Sequence, residues 1–417
     1  MLLVILMLML GISLAEEHQS ATQSPVSAVS DKTVFCYWET WRYPGFTSEH
    51  IDASLCSTVI YGYGELLTDT WTLSHKNKTI DLELGGFYNM TEMKRKNPHL
   101  RFEVALGEWQ TPERFYAMAG DPEKRSSFIS SSILYLTNHG FDGLHLHWGS
   151  PDPVGDDPVG DNTSTDRRHL STLLKDIKAA FQPVRLTISL VIWSPISSKI
   201  DENFKVDEVY KHADLVFINV FFYHGNWEKL TGAYAPLYNR GRSTDKLTVE
   251  ASWQHLQYRG AVACKTVLVF PAKGNGFHLE DPKSAEMGAR AVPGHLVAGT
   301  QPLFNQICLL MKNSSWSKVW DEERRVPYIH LEEQWISYDD RQSVREKVEY
   351  ANMEGMAGVA VNDLAMDDFT GNCFNVTFPL LREALAVQKT GDCPVGGGPR
   401  LGSGFGVVTF LLIIAIV

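Results

Sequence analysis

FDGLHLHWGSP, residues 141–151, decides how the rest of the chain is read. Its middle alternates: Leu144, Leu146 and Trp148 fall on one side of an extended segment, and His145 and His147 fall on the other. A strand with this phase buries one face in an apolar layer and turns the second face inward, so Trp148 reads as a packing residue. The run is also one of a series. Short apolar segments rich in β-branched residues occur at TVFCYW (33–38), TVIYGY (58–63), RFEVAL (101–106) and GLHLHW (143–148). They continue at RLTISLVI (185–192), LVFINVFF (215–222), TVLVFP (266–271) and GVAVN (358–362).

Between these runs lie stretches with helical spacing, such as 125–137, 168–181, 249–258 and 344–353. Eight strands alternating with helices predict an α/β protein, a (β/α)8 TIM barrel with buried strands covered outside by helices. A plain barrel needs only about 250 residues. The widest gap, after the seventh strand, carries its own strand-like pieces, VPYIHL and EQWISY. It predicts a small α+β insertion domain at 277–340, between strand 7 and helix 7, within a barrel spanning 32–390.

The ends have a different composition. Residues 1–15 are apolar and finish in Ser-Leu-Ala, the pattern of a signal peptide, and the polar stretch 16–31 reads as a flexible leader. Residues 391–417 join a Gly/Pro/Ser spacer to an uncharged apolar tail from Phe405 to Val417, the layout of a GPI-attachment signal. Thirteen helical residues rise about 20 Å, short of the roughly 30 Å of hydrocarbon that a transmembrane anchor must cross. Six cysteines without a CxxC pair, and sequons at Asn77, Asn89, Asn162, Asn313 and Asn375, agree with an extracellular glycoprotein, secreted or held at the cell surface. A formal charge of −11 without a long basic run argues against nucleic acid and anionic lipid as partners, which leaves the C-terminal anchor as the route to a membrane.

The run 141–151 resembles the signature of the family 18 glycoside hydrolases, an FDGxDxDxEYP-like strand. The likeness continues in CYWETW at the first strand, ALGEWQ at the third, HGNWEKLTGAYAPLY after the sixth and MDDFTGNC after the eighth. The resemblance implies a chitinase-like site in which the sugar's own acetamido group attacks the anomeric carbon. An inward Asp steers it, and the last Glu of the signature protonates the leaving oxygen. Carried over position by position, the first Asp is Asp142, the next two are His145 and His147, and the acid is Gly149. Glycine has no proton to donate, so the expectation is a degenerate site with no catalytic residue and no chitinase activity. Other family positions differ too: the Trp of the eighth strand is Asn362, the Tyr and Arg after the seventh strand are Lys273 and Asn275, and the segment after the sixth strand is about two residues short.

What survives suits a sugar. Tyr37, Trp41, Tyr63, Trp109 and Trp227 match positions where the family lines its groove with rings, whose apolar faces stack on pyranose C–H surfaces. Tyr37 and Tyr63, on strands, are equally readable as barrel packing. These rings favour binding of chitin or N-acetylglucosamine-type oligosaccharides without cleavage. The lost central groups favour instead an extracellular signalling or immune-interaction scaffold with a protein partner and no glycan. A third reading is a hydrolase with relocated or metal-dependent chemistry: His145 and His147 share one face at a spacing that can chelate a metal, and His224, Glu108 and Asp363 are candidates for further ligands, although no inward carboxylate is assured. Hydrogen bonding of the two histidines in former Asp space is the simpler account, so no metal or cofactor is expected. The family resemblance also implies disulfides Cys36–Cys56 and Cys308–Cys373, and leaves Cys264 and Cys393 as a third pair at the N-terminal face.

Overall fold

The computed structural model describes residues 33–107, 112–148, 163–193, 197–239, 246–294 and 301–389. Eight parallel strands close into a barrel: β1 (Val34–Glu39), β2 (Thr58–Gly62), β3 (Arg101–Leu106), β4 (Gly143–His147), β5 (Thr187–Trp193), β6 (Leu215–Asn219), β7 (Thr266–Pro271) and β8 (Gly358–Asn362). Each pairs with its sequence neighbours, and β1 closes the ring against β8 through the register Val34–Val359, Phe35–Ala360 and Cys36–Val361. Each observed strand lies within one residue of, or inside, the run predicted for it.

Alternation along β1 shows how the sequence builds two layers. Val34, Cys36 and Trp38 join the apolar layer between strands and helices, while Phe35 and Tyr37 join Ile60, Ala105, Val191, Phe217, Val267, Val269 and Ala360 inside the barrel. Trp148 is buried outside the strands beside Tyr116, in keeping with its expected packing role.

The covering helices follow apolar spacing and caps. Val249–Tyr258 buries Val249, Ser252, Trp253 and Leu256, one stripe at i, i+3, i+4 and i+7, and the Thr248 hydroxyl accepts from Ala251 N at 3.1 Å to cap it. Trp253 is wholly buried, so its truncation to Ala costs about 3–5 kcal/mol. The connection from β1 to β2 departs from the expected alternation: it carries three single 3-10 turns, Thr40–Arg42, Ser48–His50 and Ala53–Leu55, and no α-helix.

After β7 comes the inserted lobe, a four-stranded antiparallel sheet in the order Asn275–His278, Gln334–Ser337, Val326–Leu331, Ser317–Asp321, with helix Phe304–Leu310. It begins two residues before the expected 277, because Asn275 already pairs with Ser337. Phe277, Leu279, Ala289, Ala291, Tyr328 and Trp335 form its own apolar core. Disulfides join Cys36 to Cys56 and Cys308 to Cys373. Cys264 is disulfide-bonded as well, while Cys393 lies outside the described residues. Among the described residues no helix is long and apolar enough to cross a membrane; the apolar stretches 1–15 and 405–417 lie outside them.

Candidate functional site

A TIM barrel presents its chemistry at the C-terminal ends of its strands. Four side chains running down the lumen from that end form one hydrogen-bonded chain. The Tyr37 hydroxyl meets His145 Nε2 at 2.8 Å, His145 Nδ1 meets Ser189 Oγ at 2.7 Å, and Ser189 Oγ donates to Glu103 Oε2 at 2.5 Å. Thr187 donates to the other Glu103 oxygen at 2.8 Å. The direction of every link follows from the last. Ser189 spends its only proton on Glu103, so His145 must donate from Nδ1, and its bare Nε2 must accept from Tyr37. Burial agrees, holding the His145 pKa well below its ordinary value so that the ring is neutral. Both ring nitrogens of His145 are therefore committed. A carboxyl buried this deep needs these partners, and Glu103 has its pKa raised by burial and drawn back by the Ser189 and Thr187 hydroxyls.

Above this chain lies a second cluster, centred on Glu39. Its Oε1 accepts from the Tyr63 hydroxyl at 3.0 Å and its Oε2 from Trp41 Nε1 at 2.5 Å. Arg42 stacks its guanidinium on the Trp41 ring, 3.7 Å from the centroid. Asp363, just past β8, is fully buried with Oδ2 unpartnered; burial and the neighbouring Glu39 carboxylate push its pKa well above the ordinary range. Lys273, after β7, lies in the field of both carboxyls, and burial lowers its pKa against their pull. His147 packs edge-on against Tyr63, with centroids 5.4 Å apart, and its Nε2 is buried without a partner. Burial lowers its pKa to about 4, which makes it a neutral ring at physiological pH.

The sequence-derived site residues separate into distinct places. Tyr37 is 1% exposed with its hydroxyl spent on His145, so it belongs to the lumen packing and not to an open groove. Tyr63 lies one residue beyond β2 and half-buried, at the mouth instead of on a strand. Trp41 is 58% exposed at the rim. Trp227 is half-buried over Phe222, with centroids 4.9 Å apart. It approaches the backbone so closely that a Cβ on Gly225 would stand 2.0 Å from its ring and 2.4 Å from Asn275 Nδ2. Asp142 sits at the opposite end of β4, ion-paired with Lys94 at 2.8 Å and accepting from Phe102 N at 2.7 Å. That makes it a fastener between β3 and β4, remote from the mouth. Asn362 ends β8 half-buried. Glu108, Trp109 and Gly149 lie outside the described residues.

His224 pairs with Glu228 at 3.1 Å. Among the described residues, the histidines of β4, His224 and Asp363 do not bring three ligand atoms together; the one three-residue grouping, Cys308, Asp368 and Cys373, has its sulfurs in a disulfide. Sequence reading missed Glu39 and Glu103. Both were within its reach, since Glu39 is in phase with Tyr37 and Glu103 with Ala105, and a carboxylate in lumen phase is the signal that marks a polar interior.

The profile of "Glycosyl hydrolases family 18" matches residues 33–367. The chain is 28% identical over 389 residues to probable chitinase 10 of Drosophila melanogaster; the match takes in 90% of this chain and 17% of that much longer protein. Among solved structures, it is similar to a Group IV chitinase of Ostrinia furnacalis, with a TM-score of 0.78 and 30% identity, covering 85% of this chain and 99% of that one. It is also similar to human YKL-39, described as a pseudo-chitinase with retained chitooligosaccharide binding properties, with a TM-score of 0.76, 27% identity and the same two coverages.

Proposed function

The chain belongs to glycosyl hydrolases family 18, and on that premise we propose that it is a chitinase-like protein that binds chitin-type oligosaccharides without hydrolysing them. One observation carries the reading. Where the family signature places its two inward carboxylates, this chain has His145, wholly buried with both nitrogens bound to Tyr37 and Ser189, and, at the position that steers the acetamido group, His147, whose pKa burial lowers to about 4. Neither neutral ring supplies the negative charge that holds the acetamido group as it attacks. The acid position, Gly149, has no side chain to replace it. Loss of a general acid alone costs roughly 10²- to 10⁴-fold in rate.

Rings at the rim support the binding half. Trp41 and Trp227 each offer a partly open face, and human YKL-39 is a family precedent for binding that outlasts catalysis. Stacking supplies on the order of 1 kcal/mol per ring, so two or three rings give micromolar-to-millimolar affinity that grows with oligomer length. Two experiments test the proposal. A fluorogenic chitobioside assayed from acid to alkaline pH should show no turnover above the buffer blank. Calorimetry with chitin oligomers should show binding that Trp41→Ala and Trp109→Ala weaken. Turnover refutes the first half, and failure of every oligomer to bind refutes the second.

In that case the protein is an extracellular interaction scaffold. The replacement of the family's central-site groups by Asn362 and Lys273, the latter buried in the field of Glu39 and Asp363, favours this second reading. We place the protein outside the cell, secreted or GPI-anchored, on the strength of its disulfides and terminal sequences. Release from expressing cells by phosphatidylinositol-specific phospholipase C is the expected result for the anchored form.

A further inference from the structure

We propose that Glu39 is a positioning residue that locks the edge of Trp41, so that this ring meets an oligosaccharide by its face alone. The proposal rests on the glycan-binding reading above. Glu39 itself is 8% exposed, at the last residue of β1, where it cannot be a general surface charge. Each of its oxygens takes one donor from a different rim ring, Tyr63 on Oε1 and Trp41 on Oε2. An indole has a single polar atom, and here Glu39 consumes it. What Trp41 has left to offer is carbon. One of its faces lies under the Arg42 guanidinium at 3.7 Å, yet the residue remains 58% exposed, which leaves the second face open to solvent.

An exposed tryptophan ordinarily samples several rotamers, and a ligand that stacks on it must freeze them. Here the freezing is already done. The indole is held at its edge by a buried carboxylate, backed by a cation on one face, and rooted in a 3-10 turn whose first residue, Thr40, donates to Gly62 O at 2.9 Å. The open face suits a ligand whose own surface is flat and apolar, such as the C–H face of a pyranose. It offers nothing that distinguishes one hydroxyl or acetamido substituent from another. Only a carboxylate can play this part, because it accepts from both rings at once; an amide has one acceptor oxygen and must drop one of them.

Glu39→Gln is therefore the informative change, since it keeps the shape and removes one acceptor. Affinity for an N-acetylglucosamine hexamer, measured by calorimetry, should fall about 3- to 10-fold, the cost of ordering one large side chain. In a Trp41→Ala background the same substitution should have no further effect. Additive losses, or unchanged affinity in the single variant, overturn the proposal. A second measurement needs no ligand: hydrogen exchange of the Trp41 indole N–H, identified by its absence in Trp41→Ala, should be at least 10-fold faster in Glu39→Gln. Equal exchange overturns the clamp. Should the wild type bind no oligomer, the glycan reading falls, and with it the ligand half of this proposal; the exchange rates still decide whether Glu39 holds the ring.

Discussion

Ser189→Ala is the most informative test of the barrel interior, because it removes two protons' worth of hydrogen bonding while changing only one oxygen atom. In the wild type Ser189 receives His145 Nδ1–H at 2.7 Å and donates to Glu103 at 2.5 Å, with all three side chains buried. Its loss leaves an imidazole N–H and a carboxylate oxygen without partners, at about 1–3 kcal/mol each. Part is recoverable, since His145 Nδ1 already stands 3.8 Å from Glu103 Oε2 and a shift of the two toward each other would join them. The net cost is about 2–4 kcal/mol. At about 2.1 cal/mol/K of unfolding entropy per residue, this chain loses about 2–5 °C of Tm.

The pH dependence has a definite sign. Burial raises the Glu103 pKa and the Ser189 hydroxyl lowers it, so deletion raises it further. A carboxyl whose folded pKa exceeds its unfolded value stabilises the fold at low pH and loses that contribution as pH rises through the interval. The deficit should accordingly be smaller near pH 4.5 than near pH 7.5. Differential scanning calorimetry at one scan rate and two pH values reads both effects. A Tm within 0.5 °C of wild type at both pH values would refute the hydrogen-bonded chain as a contributor to stability.

Restoring the acid alone, Gly149→Glu, should yield little or no chitobioside hydrolysis, because with His145 and His147 unreverted the new carboxyl has no orienting partner; strong rescue would show that the remaining site is intact. Peptide mapping by mass spectrometry should find glycans at the exposed Asn77, Asn313 and Asn375 but not at Asn89, whose half-buried amide donates to Ser48 Oγ at 2.8 Å. Lys347→Met should destabilise the protein by about 3–5 kcal/mol in a denaturant titration, since it strands Asp339, its fully buried ion-pair partner, beside the helix Arg341–Met353.

The eight strands were legible in the sequence because each is a short apolar run, and burial between lumen and helices demands such runs wherever they lie in the chain. The insertion was legible for a related reason: its strands had no place in a closed ring of eight. Family motifs marked His145, His147 and Gly149 as substitutions in the β4 signature. Local pattern could go no further, because it carries no information on contacts across the ring. His145 and Ser189, 44 residues apart, meet because they are register partners on the paired strands β4 and β5, whereas Tyr37 and His145, 108 apart on strands that are not neighbours, meet only across the closed ring. Closure withdrew Tyr37 from the groove, while packing of the helix Gly86–Lys96 beside β3 and β4 gave Asp142 to Lys94 at the far end. It also brought Glu39 and Asp363, from the two ends of the barrel sequence, into one electrostatic cluster at the mouth. Sequence by itself determined which positions of the family signature this barrel has replaced; tertiary structure decided which of the remaining polar groups meet one another, because desolvation inside a closed ring penalises a buried donor or acceptor left without a partner.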